Sequence, residues 1–139
     1  MATIYFKVSD SFYEVGTPSY LYSFFSTVAK NLESSDWGSR FPVLMHDFYF
    51  DQLLPQQVDD LYDELIIVTK ELKQYGPGKV VWDFENPSKL PPWGNDISSD
   101  ITDLSNYFVT SDGKDFLTVL RKALEEAKIK SSEIVIELI

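Results

Sequence analysis

The sequence predicts an α+β fold, with a largely antiparallel sheet and about three helices packed on it. Short stretches rich in β-branched and aromatic residues occupy both ends of the chain, and three longer amphipathic stretches lie between them. Strands and helices do not alternate as they do in a parallel α/β protein, so the α+β class is favoured. At 139 residues, 44% hydrophobic and 15% aromatic, the chain is expected to form one domain, residues 1–139, with a substantial core.

The strands are predicted from local composition. Thr3–Val8 and Ile134–Ile139 are dominated by β-branched and aromatic residues, which fit a pleated surface. In Lys79–Phe84, the apolar residues Val80, Trp82 and Phe84 occupy alternate positions, which predicts a strand with one apolar face. Tyr107–Thr110 predicts a further short strand. Ser9–Gly16 lies between the first strand and the first helix and is interpreted as a turn region.

The helices are predicted from apolar residues that recur three and four positions apart. Thr17 is a suitable N-cap for a helix over Pro18–Glu33. A second helix is predicted over Leu53–Gly76, and a third over Lys114–Lys128 after a cap in Ser111–Gly113. The apolar segment Phe41–Phe50 is interpreted as a strand or an irregular core segment.

The least generic stretch is Leu90–Phe116. Pro91 and Pro92 restrict the backbone to an extended conformation directly before Trp93. Gly94 then allows a turn that other residues resist. This arrangement places the Trp93 ring in a definite position, either as a core anchor or as a contact residue in a binding surface.

Two sets of residues recur with helical spacing within this stretch, which indicates a short helix with adjacent apolar and acidic rows. The apolar set comprises Ile97, Ile101 and Leu104. The acidic set lies one residue behind and comprises Asp96, Asp100 and Asp103. Since carboxylates are the ligands of Mg²⁺ and Ca²⁺, the acidic row is also the basis of an alternative interpretation as a metal site.

The composition restricts the partners of the chain. The net charge is −10, so clustered phosphates of nucleic acid and anionic membranes are unsuitable ligands, whereas a cationic protein is favoured. The chain has no cysteine, its first residues lack the pattern of a signal peptide, and no apolar run reaches the ~18 residues of a membrane span. A cytoplasmic location is therefore expected.

The residues that carry chemistry are sparse. His46 is the single histidine, no nucleophile motif accompanies it, and a partly buried, hydrogen-bonded ring is expected. The glycines are scattered at turns and form no phosphate-binding loop. The sequence therefore predicts no catalytic residue, no cofactor and no dedicated metal site.

Several blocks of the sequence resemble the immunity protein 70 family. They are SFFSTVAKNLE, WGSRFP, KVVWDFE, PPWGNDIS and ITDLSNYFVTSDGKDF, in the same order and spanning Ser23 to about Ala127. The resemblance implies a bacterial antidote protein of a polymorphic toxin system, which is not an enzyme. Such a protein neutralises a cognate toxin domain by direct, stoichiometric binding.

The net charge then suggests that exposed acidic residues and one aromatic anchor carry the contact. The candidate contact residues on the second helix are Asp60, Asp63, Glu64 and Glu71, and those near the PPWG block are Trp93, Asp96, Asp100, Asp103 and Tyr107. Two alternatives stay open. One is a small metal-dependent hydrolase that uses the three aspartates, and the other is a non-catalytic homodimeric adaptor. The chain is expected to be a monomer or a homodimer.

Overall fold

The computed structural model describes residues 2–139 and confirms the α+β class. The antiparallel sheet has the strand order β2-β1-β4-β3, with three α-helices packed beside it. The strands are β1 (Ile4–Val8), β2 (Ser11–Gly16), β3 (Gln52–Leu53) and β4 (Ile134–Leu138). The helices are α1 (Pro18–Leu32), α2 (Val58–Leu72) and α3 (Phe116–Lys130).

The sheet brings the two ends of the chain together. The predicted terminal strands are confirmed as β1 and β4, which pair antiparallel with Phe6 opposite Ile136. The interpretation of Ser9–Gly16 as a turn region is wrong, because most of it forms β2 and pairs with β1. The reversal is confined to a tight turn at Ser9, which has a left-handed φ of 54°. The alternation of side chains in β2 then allows Phe12 to pack against Tyr5, with ring centroids 6.3 Å apart.

The predicted helices are confirmed, with shifted ends. The Thr17 hydroxyl caps α1 by accepting a hydrogen bond from the backbone N–H of Tyr20. Helix α2 follows a 3₁₀ turn at Pro55–Gln57 and ends before Gly76. The cap of α3 is Asp115, which accepts from the Thr118 N–H, and not a residue of Ser111–Gly113.

The core lies between the sheet and the helices and contains a cluster of packed phenylalanine rings. Phe6 of the central strand packs against Phe48 and Phe116, with ring centroids 5.4 and 5.9 Å apart. Phe24 of α1 meets Phe116 at 4.6 Å. Each of these rings is fully buried, and such burial stabilises the fold by about 2–3 kcal/mol per side chain.

The segment Phe41–Phe50 is neither a strand nor irregular: it contains a π-helix, Val43–Phe48. Its first backbone N–H groups are satisfied by a carboxylate of α2, since Glu64 accepts hydrogen bonds from Val43 and Leu44. This long-range cap explains why the local sequence did not indicate a helical turn.

The strand predicted over Lys79–Phe84 is wrong. The segment follows a 3₁₀ turn and lies against α1, whose polar side chains take the place of a neighbouring strand. The Thr27 hydroxyl bonds both the N–H and the carbonyl of Val81, and the Asn31 amide donates to the Lys79 carbonyl. Because these partners satisfy the backbone, the segment needs no sheet.

The secondary structure predicted within Leu90–Phe116 is also wrong. Tyr107–Thr110 forms only an isolated bridge between Val109 and Asp115, because the chain turns back immediately. The segment 96–104 contains turns and no helix. Short polar side chains bond the backbone there, as Asp103 does with the Ser105 N–H, and such bonds compete with a helix.

Within residues 2–139, no helix is both long and apolar enough to cross a membrane.

Candidate functional site

The PPWG block forms a turn that presents Trp93 at the surface. The N–H of Gly94 donates to the carbonyl of Pro91 at 2.8 Å, and Gly94 has a left-handed φ of 58°. Pro91 is buried and Pro92 is exposed. Trp93 is 39% exposed, so it is a large apolar side chain held partly in water.

The Trp93 ring is held from two sides. Its indole N–H donates to the hydroxyl of Tyr107 at 2.8 Å, and its ring meets that of buried Trp82 edge-on at 5.3 Å. Tyr107 is buried, and burial raises the pKa of its phenol although the Trp93 hydrogen bond opposes the shift. The Trp93 ring is therefore held in one orientation while part of it stays exposed.

Trp93 belongs to an exposed apolar patch. Leu90 is 65% exposed and Val109 is 45% exposed. Val109 and Trp93 line a groove of about 620 Å³ together with Leu90 and Pro92. We call these four residues the Trp93 patch. Exposed apolar side chains that gather around an aromatic ring are typical of protein–protein contact sites.

A smaller pocket of about 330 Å³ adjoins the patch. Its walls are aromatic and apolar, with the carboxylate of Asp96 among them. Its lining residues are Tyr20, Trp93, Asp96, Ile97, Ser98, Ile101, Tyr107 and Val109. Trp93 and Tyr20 line both the groove and this pocket, so the two cavities are neighbours on one surface.

The three aspartates of this stretch do not act as a row. Asp96 and Asp100 are exposed, whereas Asp103 is half-buried and bonds the N–H and hydroxyl of Ser105. Burial opposes ionisation of Asp103, but bonds from Ser105, Thr102 and Asn106 outweigh it and hold its pKa below the usual value. In the part of the chain that the structure describes, no group of three or more His, Asp or Glu residues is arranged to hold a metal ion. The geometry therefore does not assemble the metal site of the alternative interpretation.

The four acidic candidates of α2 fall into two kinds. Asp60 and Asp63 are exposed. Glu64 bonds the start of the π-helix, and Glu71 forms a bidentate ion pair with Arg40, both N···O distances being 2.7 Å. Burial raises the pKa of Glu64, whereas the Arg40 hydrogen bonds lower that of Glu71. Glu64 and Glu71 thus have partners within the fold, which leaves Asp60 and Asp63 as the freer charges.

The single histidine is more exposed than expected. His46 is exposed, and its Nε2 lies 3.1 Å from the carbonyl oxygen of Trp37, which confirms the expected hydrogen bond. Its ring lies over Gly38, since a Cβ atom built there would be 1.9 Å from Nε2.

The sequence did not single out Leu90, Val109 and Tyr20. Leu90 precedes two prolines and Val109 follows aromatic residues, so neither has a periodic pattern that separates a surface from a core residue. Tyr20 lies on α1, whose apolar stripe indicates core. Only the assembly of α1 with the PPWG turn shows that these residues surround Trp93.

These features define an α+β protein with an exposed apolar patch around Trp93 and one carboxylate, that of Asp96, in the adjoining pocket. The model of one family, described as immunity protein 70, matches residues 6–136. The chain therefore belongs to the immunity protein 70 family, as the resemblance of its sequence blocks predicted. No curated protein and no solved structure gave a match to the chain.

Proposed function

We propose that this protein neutralises a bacterial toxin by direct, stoichiometric binding, and that the Trp93 patch is the centre of the contact. The observation that carries the proposal is a half-exposed tryptophan, held by Tyr107 and Trp82, in a member of an immunity protein family. Inhibition by contact needs a complementary surface and no catalytic group of its own.

The physical argument for Trp93 is that interface energy concentrates in a few large anchors. Tryptophan is enriched among such anchors, and neighbouring apolar residues exclude water around it. Leu90 and Val109 are placed to do so, because both line the groove beside the ring. The fixed ring also loses little side-chain entropy on binding.

The charge of the chain supports a basic toxin surface as the partner. With a net charge of −10, the protein attracts a cationic surface over the range of the Debye length, which raises the association rate. Asp96 is exposed, lines a pocket together with Trp93 and supplies local complementarity, and Asp100 is a further exposed carboxylate of the same stretch. Asp60 and Asp63 on α2 act in this proposal through long-range attraction.

The test is co-expression with a toxin-domain protein encoded beside the gene for this chain. Wild-type protein is expected to restore growth and to co-purify with the toxin in an equimolar complex. Trp93→Ala is expected to weaken the complex at least tenfold, because it removes the anchor. Phe50→Ala is the matched control, since Phe50 is also an exposed aromatic, packed beside Trp37 and outside both cavities.

The proposal would be contradicted if the wild-type protein neither restored growth nor formed a complex with the toxin. Equal loss of binding in the two aromatic variants would contradict the placement of the contact at Trp93. Sizing of the protein alone addresses the homodimeric adaptor. A dimer that Trp93→Ala dissociates would assign the patch to self-association.

A further inference from the structure

The pocket beside the Trp93 patch combines aromatic walls with one carboxylate. Three aromatic residues line it, namely Tyr20, Trp93 and Tyr107, and Asp96 is the single charged residue in the lining. The Asp96 carboxylate forms no ion pair or side-chain hydrogen bond with any residue in the range 2–139. Its negative charge therefore has no partner within the described fold.

The polar groups of the aromatic walls are not all satisfied. The Tyr107 oxygen accepts the indole N–H of Trp93, whereas the Tyr20 hydroxyl is buried and bonds none of the residues that the structure describes. Tyr20 is only 9% exposed, and buried hydroxyl groups of this kind normally have a partner. The pocket is thus lined by a residue whose buried hydroxyl is unsatisfied and by an unpaired carboxylate.

We propose that this pocket receives one lysine or arginine side chain of the toxin. This inference rests on the proposed function and names the chemistry of the residue that enters. A cation is attracted by the faces of aromatic rings and more strongly when a carboxylate lies in the same pocket. The methylene groups of the entering side chain would lie along the apolar walls formed by Ile97 and Ile101.

Other side chains fit the pocket less well. An apolar side chain would desolvate Asp96 without giving it a partner, which is unfavourable. An acidic side chain would be repelled by Asp96. A basic side chain satisfies the carboxylate and uses the aromatic walls, and the net charge of −10 favours its approach.

The experiment uses the whole protein and a small probe, Nα-acetyl-L-arginine methyl ester, titrated against ¹⁵N-labelled protein. The indole N–H signals of Trp93 and Trp37 are followed by NMR. The Trp93 signal is expected to shift with saturation, while that of Trp37, whose N–H is bound to the Met45 carbonyl, stays in place. The matched neutral probe, the citrulline derivative, is expected to bind at least tenfold more weakly.

The Asp96→Asn variant is expected to lower the affinity for the arginine probe at least fivefold. Asp10→Asn is the matched control, because Asp10 is an exposed aspartate in the β1–β2 turn that does not line the pocket. Equal shifts with both probes, an unchanged affinity in Asp96→Asn, or no shift of Trp93 would each overturn the inference.

The outcome is separable from that of the proposed function. Loss of toxin binding in Trp93→Ala without an arginine response would retain toxin binding at the patch and overturn the basic side chain in the pocket. An arginine response in a protein that binds no toxin would overturn the proposed function instead, and with it the toxin as the source of the side chain.

Discussion

The same dipeptide, Trp-Gly, occurs at two places in this molecule, and the two tryptophan rings differ in their exposure and in their hydrogen-bond partners. The Trp37 ring is half-buried, and its N–H donates to the backbone carbonyl of Met45 at 2.8 Å. The Trp93 ring is partly in water, and its N–H donates to the side chain of Tyr107. Trp37 packs among several aromatic side chains, namely Tyr22, Phe25, Tyr49, Phe50 and Phe84. The first tryptophan therefore packs within an aromatic cluster, whereas the second keeps part of its ring in solvent.

The two loops are also organised by different carboxylates. Glu33 is buried and accepts hydrogen bonds from the backbone N–H groups of Gly38, Arg40 and Phe41, each at 3.0 Å. The Asp103 carboxylate is half-buried and accepts hydrogen bonds from Thr102 and Ser105, only one and two positions away. The Trp37 loop is thus tied to the end of α1, whereas the Trp93 stretch depends on local bonds and prolines. The exposure of each tryptophan ring therefore follows from the contacts that hold its loop.

The largest expected effect is that of Glu33→Ala. It leaves three backbone N–H groups without their acceptor, at least two of them buried, and should lower the free energy of unfolding by about 4 kcal/mol. Asp103→Ala should lower it by only about 1 kcal/mol, because its bonds are local and nearer to solvent. Urea denaturation of both variants measures the difference. Equal losses would show that the two loops are anchored alike.

Exchange of the two rings for alanine should separate stability from binding. Trp37→Ala is expected to lower the free energy of unfolding by about 3 kcal/mol, because it removes an aromatic ring from a packed cluster. Trp93→Ala should cost about 1 kcal/mol, since part of its ring is already in water. Trp93→Ala should weaken toxin binding more than Trp37→Ala does. A Trp93 variant as unstable as the Trp37 variant would make Trp93 a core anchor and contradict its display.

The two glycines that follow Trp37 and Trp93 provide a test with a smaller expected effect on stability. Both have a left-handed φ, 85° at Gly38 and 58° at Gly94, which costs alanine about 1 kcal/mol. A Cβ at Gly38 would also displace the His46 ring, whereas none of the described atoms lies within 4 Å of one at Gly94. Gly38→Ala should therefore cost about 2 kcal/mol in total and Gly94→Ala about 1 kcal/mol. Thermal denaturation compares them, and a larger loss at Gly94 would reverse the expected order.

The smallest effects are expected in the pH dependence of stability. Burial raises the pKa of Glu64, beside the π-helix, above 4.5. The folded state then holds that proton more tightly, so its contribution is present below pH 4.5 and is lost as the pH rises through the folded pKa. Hydrogen bonds outweigh burial at Asp103 and hold its pKa below 3.8, so its contribution is present above pH 3.8 and is lost on acidification.

Each effect should stay below about 1 kcal/mol, because both carboxylates are partly solvated. Glu64→Gln is expected to remove a fall in stability above pH 4.5, and Asp103→Asn a fall below pH 3.8. Denaturant titrations from pH 2.5 to 6.5, a range that brackets the usual carboxyl pKa values by about one unit or more, measure both slopes. Slopes of the same sign would contradict the assignment of the two environments.

The predicted elements divide according to whether side chains compete for their backbone hydrogen bonds. Helix α1 and strand β4 follow local patterns and are confirmed, because amphipathic spacing and β-branched runs act within one segment. The predictions of a strand over Lys79–Phe84 and of a short helix in the segment that contains Ile97, Ile101 and Leu104 are wrong. In the first, Thr27 of a distant helix supplies the hydrogen bonds, and in the second, short polar side chains such as Asp103 replace the helical ones.

The candidate site was predictable in part. The PPWG block predicted that the Trp93 ring has a fixed position, and the structure places this ring in an exposed apolar patch. Tyr107 is a supporting residue, because it is buried and accepts the Trp93 N–H. Glu64 and Glu71 have partners in the fold, which no charge pattern indicates, since Arg40 and the π-helix lie far from them in sequence.

Composition and local spacing were sufficient to predict the α+β class, the three helices, the terminal strands and the negative charge, and the sequence blocks indicated the immunity protein 70 family. These properties depend on composition and on spacing within a segment. The packing of distant segments leaves Trp37 half-buried in an aromatic cluster and Trp93 39% exposed, with a pocket that contains an unpaired carboxylate beside the second ring. The physical reason is that exposure depends on which distant side chains cover a residue, and two identical dipeptides carry no local signal of that difference.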